Sequence, residues 1–166
     1  MESLLHGGSQ EGGLRAGTEN MPGIVGLGKA AQLRHNRFSE VTEHIRHLRD
    51  RFESCLMGEI DEIEVNGAPH VRVDNTSNLL FRGVEGQALM AQLDRIEIYC
   101  SQSSACTNSR PEPSYVLRAM GLSEDEAYAS VRFSFSEQNT VEEVDWAVEQ
   151  ITEIVERLRA FARMGA

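Results

Sequence analysis

The 166 residues predict an α+β domain, a mixed or antiparallel sheet of about four strands covered on one face by long helices. Three observations carry that expectation. Two long stretches repeat apolar residues at steps of three and four, which lays a single buried stripe along a helix. Between them, several short stretches alternate apolar and polar residues, as half-buried strands do. No internal repeat or low-complexity linker interrupts a chain whose length suits one domain with a sizeable core.

Taken in order, the chain opens on Gly7-Gly8-Ser9-Gln10-Glu11-Gly12-Gly13-Leu14-Arg15-Ala16-Gly17-Thr18. Glycine at that density excludes a helix interior and marks a loop whose backbone passes close to another group. The loop is either a set of tight turns or a phosphate cradle, with Arg15, Thr18 and backbone N–H groups near a helix start. It lacks the Lys-Ser/Thr pair of a Walker loop, and no strand precedes it as a dinucleotide fingerprint requires. Pro22 can open a helix, and the pattern is largely helical from there to Leu56. Val41, Ile45, Leu48, Phe52 and Leu56 form its stripe, with Cys55 beside them.

Beyond Gly58, Ile63-Glu64-Val65 and Val71-Arg72-Val73 alternate like short strands around an Asn66-Gly67 turn signal. Asn78 to Phe81 reads as a more buried strand, Gly86 to Leu93 as a short helix, and Ile96 to Tyr99 as another strand. Ser101 to Pro113 is small, polar and proline-bearing, hence a loop. Ser114 to Met120 reads as a short helix closed by Gly121. Val131 to Ser136 alternates strictly, with Arg132, Ser134 and Ser136 on its polar face. Thr140 and Glu143 make a capping box for a last helix whose stripe is Val144, Val148, Ile151, Val155 and Leu158.

Composition excludes several functions. A net charge of −10 opposes binding to a phosphate backbone, so no nucleic-acid partner is expected. No apolar run reaches the roughly 20 residues of a membrane span, and the acidic helices lack a basic face for a membrane surface. Three cysteines without a C-x-x-C pair suit reduced thiols in a cytoplasmic setting. None of the five histidines has metal-ligand spacing to a cysteine pair, so no metal is expected. Basic residues comprise fifteen arginines and one lysine, Lys29.

Two residues carry candidate chemistry. Cys106 lies in a loop, outside any apolar stripe. It is either inert or a nucleophile that a loop can bring to two different partners. Arg132 stands between two apolar strand neighbours. It either pairs structurally or holds a substrate carboxylate in a bidentate grip.

In order and spacing, three motifs resemble the C-terminal half of cysteine desulfurases of the nitrogen-fixation and iron–sulfur-cluster type, within the class-V aminotransferases. They are Gly7 to Asn20, Ser104-Ala105-Cys106-Thr107 with the following Glu112 to Arg118, and Val131-Arg132-Phe133-Ser134. The resemblance implies the C-terminal small domain of a fold-type I pyridoxal-phosphate transferase over residues 21–166. Residues 1–20 would then be the glycine-rich end of the large cofactor domain. It further implies that Cys106 takes sulfur from L-cysteine as a persulfide, releasing alanine. Arg132 would bind the substrate carboxylate and Thr18 the cofactor phosphate, across a homodimer interface. The sulfur would pass to an iron–sulfur scaffold or another acceptor.

The family's cofactor-bearing lysine and ring-stacking histidine lie upstream of the glycine-rich motif and are not expected here. Lys29 falls where the family has no catalytic group. Pyridoxal phosphate is therefore expected in the complete enzyme and not covalently on this chain, which would need an N-terminal cofactor-binding half and be inactive alone. Ser9, Ser103 and Ser136 stand where the family has glycine. The alternative is a non-catalytic, desulfurase-like module that binds a partner or accepts persulfide.

Overall fold

The computed structural model describes residues 2–68, 71–102 and 113–164. Their contacts divide the chain into two compact units, Met1–Ser39 and Glu40–Ala166. In the first, the glycine-rich stretch makes one turn of 3-10 helix, Gln10–Gly13, within a loop. Gly12, Gly13 and Gly17 take φ values of +63°, +81° and +99°, left-handed backbone that a Cβ would strain. Helix α1 (Met21–Asn36) is capped by Asn20, whose side chain accepts from the Gly23 N–H at 3.1 Å. Pro22 sits in the first turn, where its missing N–H goes unused. None of the residues of α1 is buried.

The helical run expected from Pro22 to Leu56 is thus two helices, separated at Arg37, whose φ of −112° and ψ of 8° leave the helical range. From α2 (Phe38–Glu59) onward come β1 (Ile63–Val65), β2 (Thr76–Phe81), α3 (Gly86–Asp94), α4 (Tyr115–Ala119), α5 (Glu124–Tyr128), β3 (Ser130–Ser134) and α6 (Val141–Met164). The sheet runs β1-β2-β3 with both pairs antiparallel, Val65 opposite Leu79 and Asn78 opposite Arg132. The architecture is the expected α+β.

The stripe of α2 is buried along its length, and so are Val144, Val148, Ile151 and Val155 of α6. Leu48, Phe52 and Leu56 of α2 and these α6 residues meet Leu79 and Phe81 of β2, Val131 and Phe133 of β3, and Leu89 and Leu93 of α3 in one core. Phe52 joins helix to sheet, its ring 4.9 Å from that of Phe133 and 5.3 Å from that of Phe135. The capping box of α6 is present: Glu143 N–H donates to Thr140 Oγ1 at 3.2 Å, and Thr140 N–H to Glu143 at 3.1 Å. A second box, between Ser123 and Glu126, starts α5.

Two expected strands are absent, leaving three named strands among the described residues. Val71 and Val73 are 85% and 64% exposed, so no apolar face holds them to a sheet. Arg72 between them turns to Glu53 of α2, donating at 2.6 Å to a carboxylate that is buried. At Ile96 to Tyr99 the backbone is broken by Glu97, whose φ of +63° is left-handed. Pairing resumes only at Ser101, in a single bridge to Arg132.

Candidate functional site

Arg132 lies mid-strand in β3. Alternation turns its side chain outward, away from buried Val131 and Phe133. It lies opposite Asn78 of β2 in the ladder, and on its other side its backbone is bonded to Ser101. With Ser101 it exchanges two bonds, Arg132 N–H to Ser101 O at 2.6 Å and Ser101 N–H to Arg132 O at 3.0 Å. Among the described residues no carboxylate pairs with its guanidinium. A guanidinium so mounted can grip a carboxylate from a backbone that does not move with it.

The same sheet face carries a polar row that composition and periodicity did not single out. Asn66 Nδ2 donates to Asn78 Oδ1 at 2.7 Å and to Ser130 Oγ at 3.0 Å, and Ser130 Oγ donates to Glu126 O at 2.7 Å. These bonds fix Asn78 and Ser130, which sit beside Arg132 across the sheet and along β3. Asn66 reads as turn punctuation, and Gly67 beside it does take left-handed backbone, φ +106°. Its side chain, however, works on residues 12 and 64 positions away.

Beyond Ser101, the Gln102 side chain donates to Tyr128 O at the end of α5. Cys106, with the rest of 103–112, lies outside the described residues.

Thr18 belongs to the first unit and Arg132 to the second. Thr18 is exposed, and its carbonyl accepts from Arg15 Nη1 at 3.2 Å. Gly12 and Gly13 have no heavy atom within 4 Å of a would-be Cβ, so this edge of backbone is open to a ligand. A hydroxyl, a guanidinium and open left-handed backbone suit the phosphate end of a cofactor. Lys29 does not suit its covalent attachment: it is exposed on α1, with Nζ donating to Gln32 Oε1 at 3.1 Å.

The sequence pattern described as aminotransferase class-V matches residues 5–146. The chain belongs to the class-V aminotransferases.

Relatives narrow the likeness within that family of pyridoxal-phosphate enzymes. A cysteine desulfurase of Trichormus azollae is 47% identical over 159 residues, 96% of this chain and 40% of the relative. The cysteine desulfurase IscS of Rickettsia bellii is 40% identical over 94% of this chain and 38% of its own length. The solved structure of a NifS-like protein superposes with a TM-score of 0.79 at 34% identity, over 95% of this chain and 40% of that one. The chain spans about 40% of the length of the curated relatives it matches.

Of the other two thiols in this class-V aminotransferase chain, Cys55 packs against the core and Cys100 is half-buried. Burial, with a smaller push from Asp94, raises the Cys100 thiol to about 11, so at neutral pH it is a poor nucleophile. A cleft of about 320 Å³ opens beside the end of β3, among Phe135, Tyr99 and Trp146. Its charged lining residues, Glu97 and Glu143, are carboxylates, so it repels an anionic ligand. Among the described residues, no group of His, Cys, Asp and Glu could hold a metal ion, and no helix is long and apolar enough to cross a membrane.

Proposed function

We propose that this chain carries the sulfur-accepting half of a cysteine desulfurase, with Cys106 as the thiol that leaves the reaction as a persulfide. The observation that carries the reading is Arg132: an outward guanidinium on a strand braced at both edges, in a chain 47% identical to a cysteine desulfurase. In this proposal residues 21–166 are the small domain, and residues 1–20 belong with the cofactor domain.

Arg132 holds the carboxylate of L-cysteine. The Cys106 thiolate attacks the substrate sulfur: an S–S bond forms to Cys106 as the substrate Cβ–Sγ bond breaks. The bonding pair stays on the carbon, which takes a proton and departs in alanine. Pyridoxal phosphate, when bound, supplies the electron sink that lets that bond open. Thr18 would hold its phosphate. The lysine that carries the cofactor would come from outside these 166 residues, since Lys29 is the one lysine and its ammonium is committed to Gln32. On this reading the chain alone is inactive, works in the cytoplasm, and hands its sulfur to an iron–sulfur scaffold or another protein acceptor.

Mixing the chain with a desulfurase cofactor half that carries the lysine should produce cysteine-dependent sulfide release. Cys106→Ala should abolish it, and Arg132→Ala should raise KM for cysteine by about 10- to 100-fold, the worth of a charge-assisted hydrogen bond. Release that survives Cys106→Ala sinks the assignment. Sulfur from a persulfide donor found on Cys106 without any cysteine turnover in the mixture would favour a non-catalytic acceptor module instead.

A further inference from the structure

The cleft beside the end of β3 is built from three parts of the second unit. Glu97 and Tyr99 come from the kinked stretch after α3, Phe135 and Asn139 from the β3–α6 connection, and Glu143 and Trp146 from the start of α6. Its floor is fixed, because the Phe135 ring meets the Phe52 ring edge-on at 5.3 Å. Its rim is not used by the fold. Tyr99 is 75% exposed, and Trp146, the one tryptophan of the chain, is 45% exposed. Two large rings left in water at one concave site hold binding energy that the fold has not spent.

The charges at the rim are all of one sign. Neither lysine nor arginine lines the cleft, and its two carboxylates are held differently. Glu143 accepts from the Thr140 N–H at 3.1 Å and from Asn139 Nδ2 at 3.2 Å, both on Oε2. Those bonds and the first turn of α6 answer part of its charge. Glu97 makes no hydrogen bond or ion pair among the described residues, so its charge stays whole. Arg51, which reaches α6 from α2, is already committed to Asp145 through bonds of 2.6 and 2.8 Å.

This rim selects among ligands. An anion is repelled, and a neutral apolar group would strip water from the carboxylates with nothing in return. A cation gains from the carboxylates and from the electron-rich ring faces together. A guanidinium suits best, being flat and weakly hydrated, able to stack on a ring while its donors fork to a carboxylate. Free arginine would bring its own carboxylate toward Glu97 and Glu143, whereas an arginine within a polypeptide does not. The net charge of −10 draws a basic surface toward the chain in any case.

We propose that this cleft is a docking site for an arginine side chain of a partner protein, its guanidinium held by Glu97 and Glu143 and by the rings of Tyr99 and Trp146. The site uses neither Arg132 nor the sulfur chemistry, so it stands or falls without them.

Trp146 reports on the site, being the chain's one indole. The full chain is titrated at low salt with a blocked peptide carrying one arginine among glycines and serines. Its fluorescence should change saturably, and its indole N–H resonance should shift. The same peptide with citrulline in place of arginine, alike in shape and uncharged, should do neither. Lysine at that place, or free arginine, should bind more weakly, and added salt should weaken the arginine peptide. Glu97→Gln should weaken it by about two- to fivefold, and Tyr99→Ala by about two- to tenfold. Both side chains are exposed, so both variants should keep the parent's unfolding midpoint. Glu124→Gln, on α5, should bind as the parent does.

No saturable change with the arginine peptide overturns the proposal. Equal binding of the citrulline peptide, or undiminished binding in Glu97→Gln, does so too, since either leaves the charge without a role. Free arginine binding as tightly as the peptide would make the occupant a small molecule and overturn the assignment to a protein partner.

Discussion

Helices α1 and α6 are both rich in apolar residues, and they meet opposite fates. In α6, Val144, Val148, Ile151 and Val155 recur at three and four, and all are buried. In α1, Ile24, Val25, Leu27 and Leu33 point around the cylinder between Gly23, Gly26 and Gly28, and each is half exposed or more. Apolar content is shared; period is not. A single stripe can be covered by one sheet, whereas apolar residues on every side need neighbours on every side. The unit Glu40–Ala166 thus owns a core, while the helix of Met1–Ser39 contributes to none among the described residues.

The contrast can be broken most forcefully by truncation. Phe81→Ala removes a wholly buried ring and should destabilise the chain by about 3–5 kcal/mol in urea unfolding. Ile24→Ala should change it by about 0.5 kcal/mol or less. Equal effects would mean that α1 is as tightly integrated as the sheet. Limited trypsin digestion probes the same difference by rate: cuts at Lys29, Arg34 and Arg37 should precede cuts at Arg49 and Arg157. Early cleavage within α2 or α6 would reverse the ranking.

Smaller effects sharpen the account of the second unit. Thr140→Ala removes the cap of α6 and should cost about 1 kcal/mol. The smallest effect should come from Glu126, held down to about 2 by the Ser123 backbone N–H, Arg82 and the Ser123 hydroxyl. A carboxyl depressed by folding stabilises above its unfolded value, and that contribution fades as pH falls through its folded one. Glu126→Gln should therefore lower Tm at pH 7, with the gap to the parent chain narrowing toward pH 2. A gap that widens on acidification would contradict those bonds.

What could be read from the sequence was whatever depends on period and on neighbours along the chain. The stripes of α2 and α6, the alternation of β3, the Thr140 cap and the outward place of Arg132 all follow from spacing. Val71-Arg72-Val73 alternates as well as β3 does, yet Arg72 is claimed by Glu53, 19 residues back, and the valines stay in water. The strand expected at Ile96 to Tyr99 does not form because one backbone angle at Glu97 undoes the pattern. The side-chain roles of Asn66, Asn78 and Gln102 are not legible in the sequence because their partners lie far along the chain, where only the fold reveals them.

The left-handed turn at Glu97 has a consequence for how the molecule behaves in company. Had residues 96–101 run straight beside β3, they would have formed a full outer strand with a free row of donors and acceptors. Such a row is a template on which a second chain can add its own strand. With the backbone wrenched at Glu97, contact with β3 shrinks to Ser101, and 96–101 itself presents no such row. A carboxylate set at the kink adds charge to the same stretch. The residue that shortens the sheet also keeps this stretch from serving as a template strand.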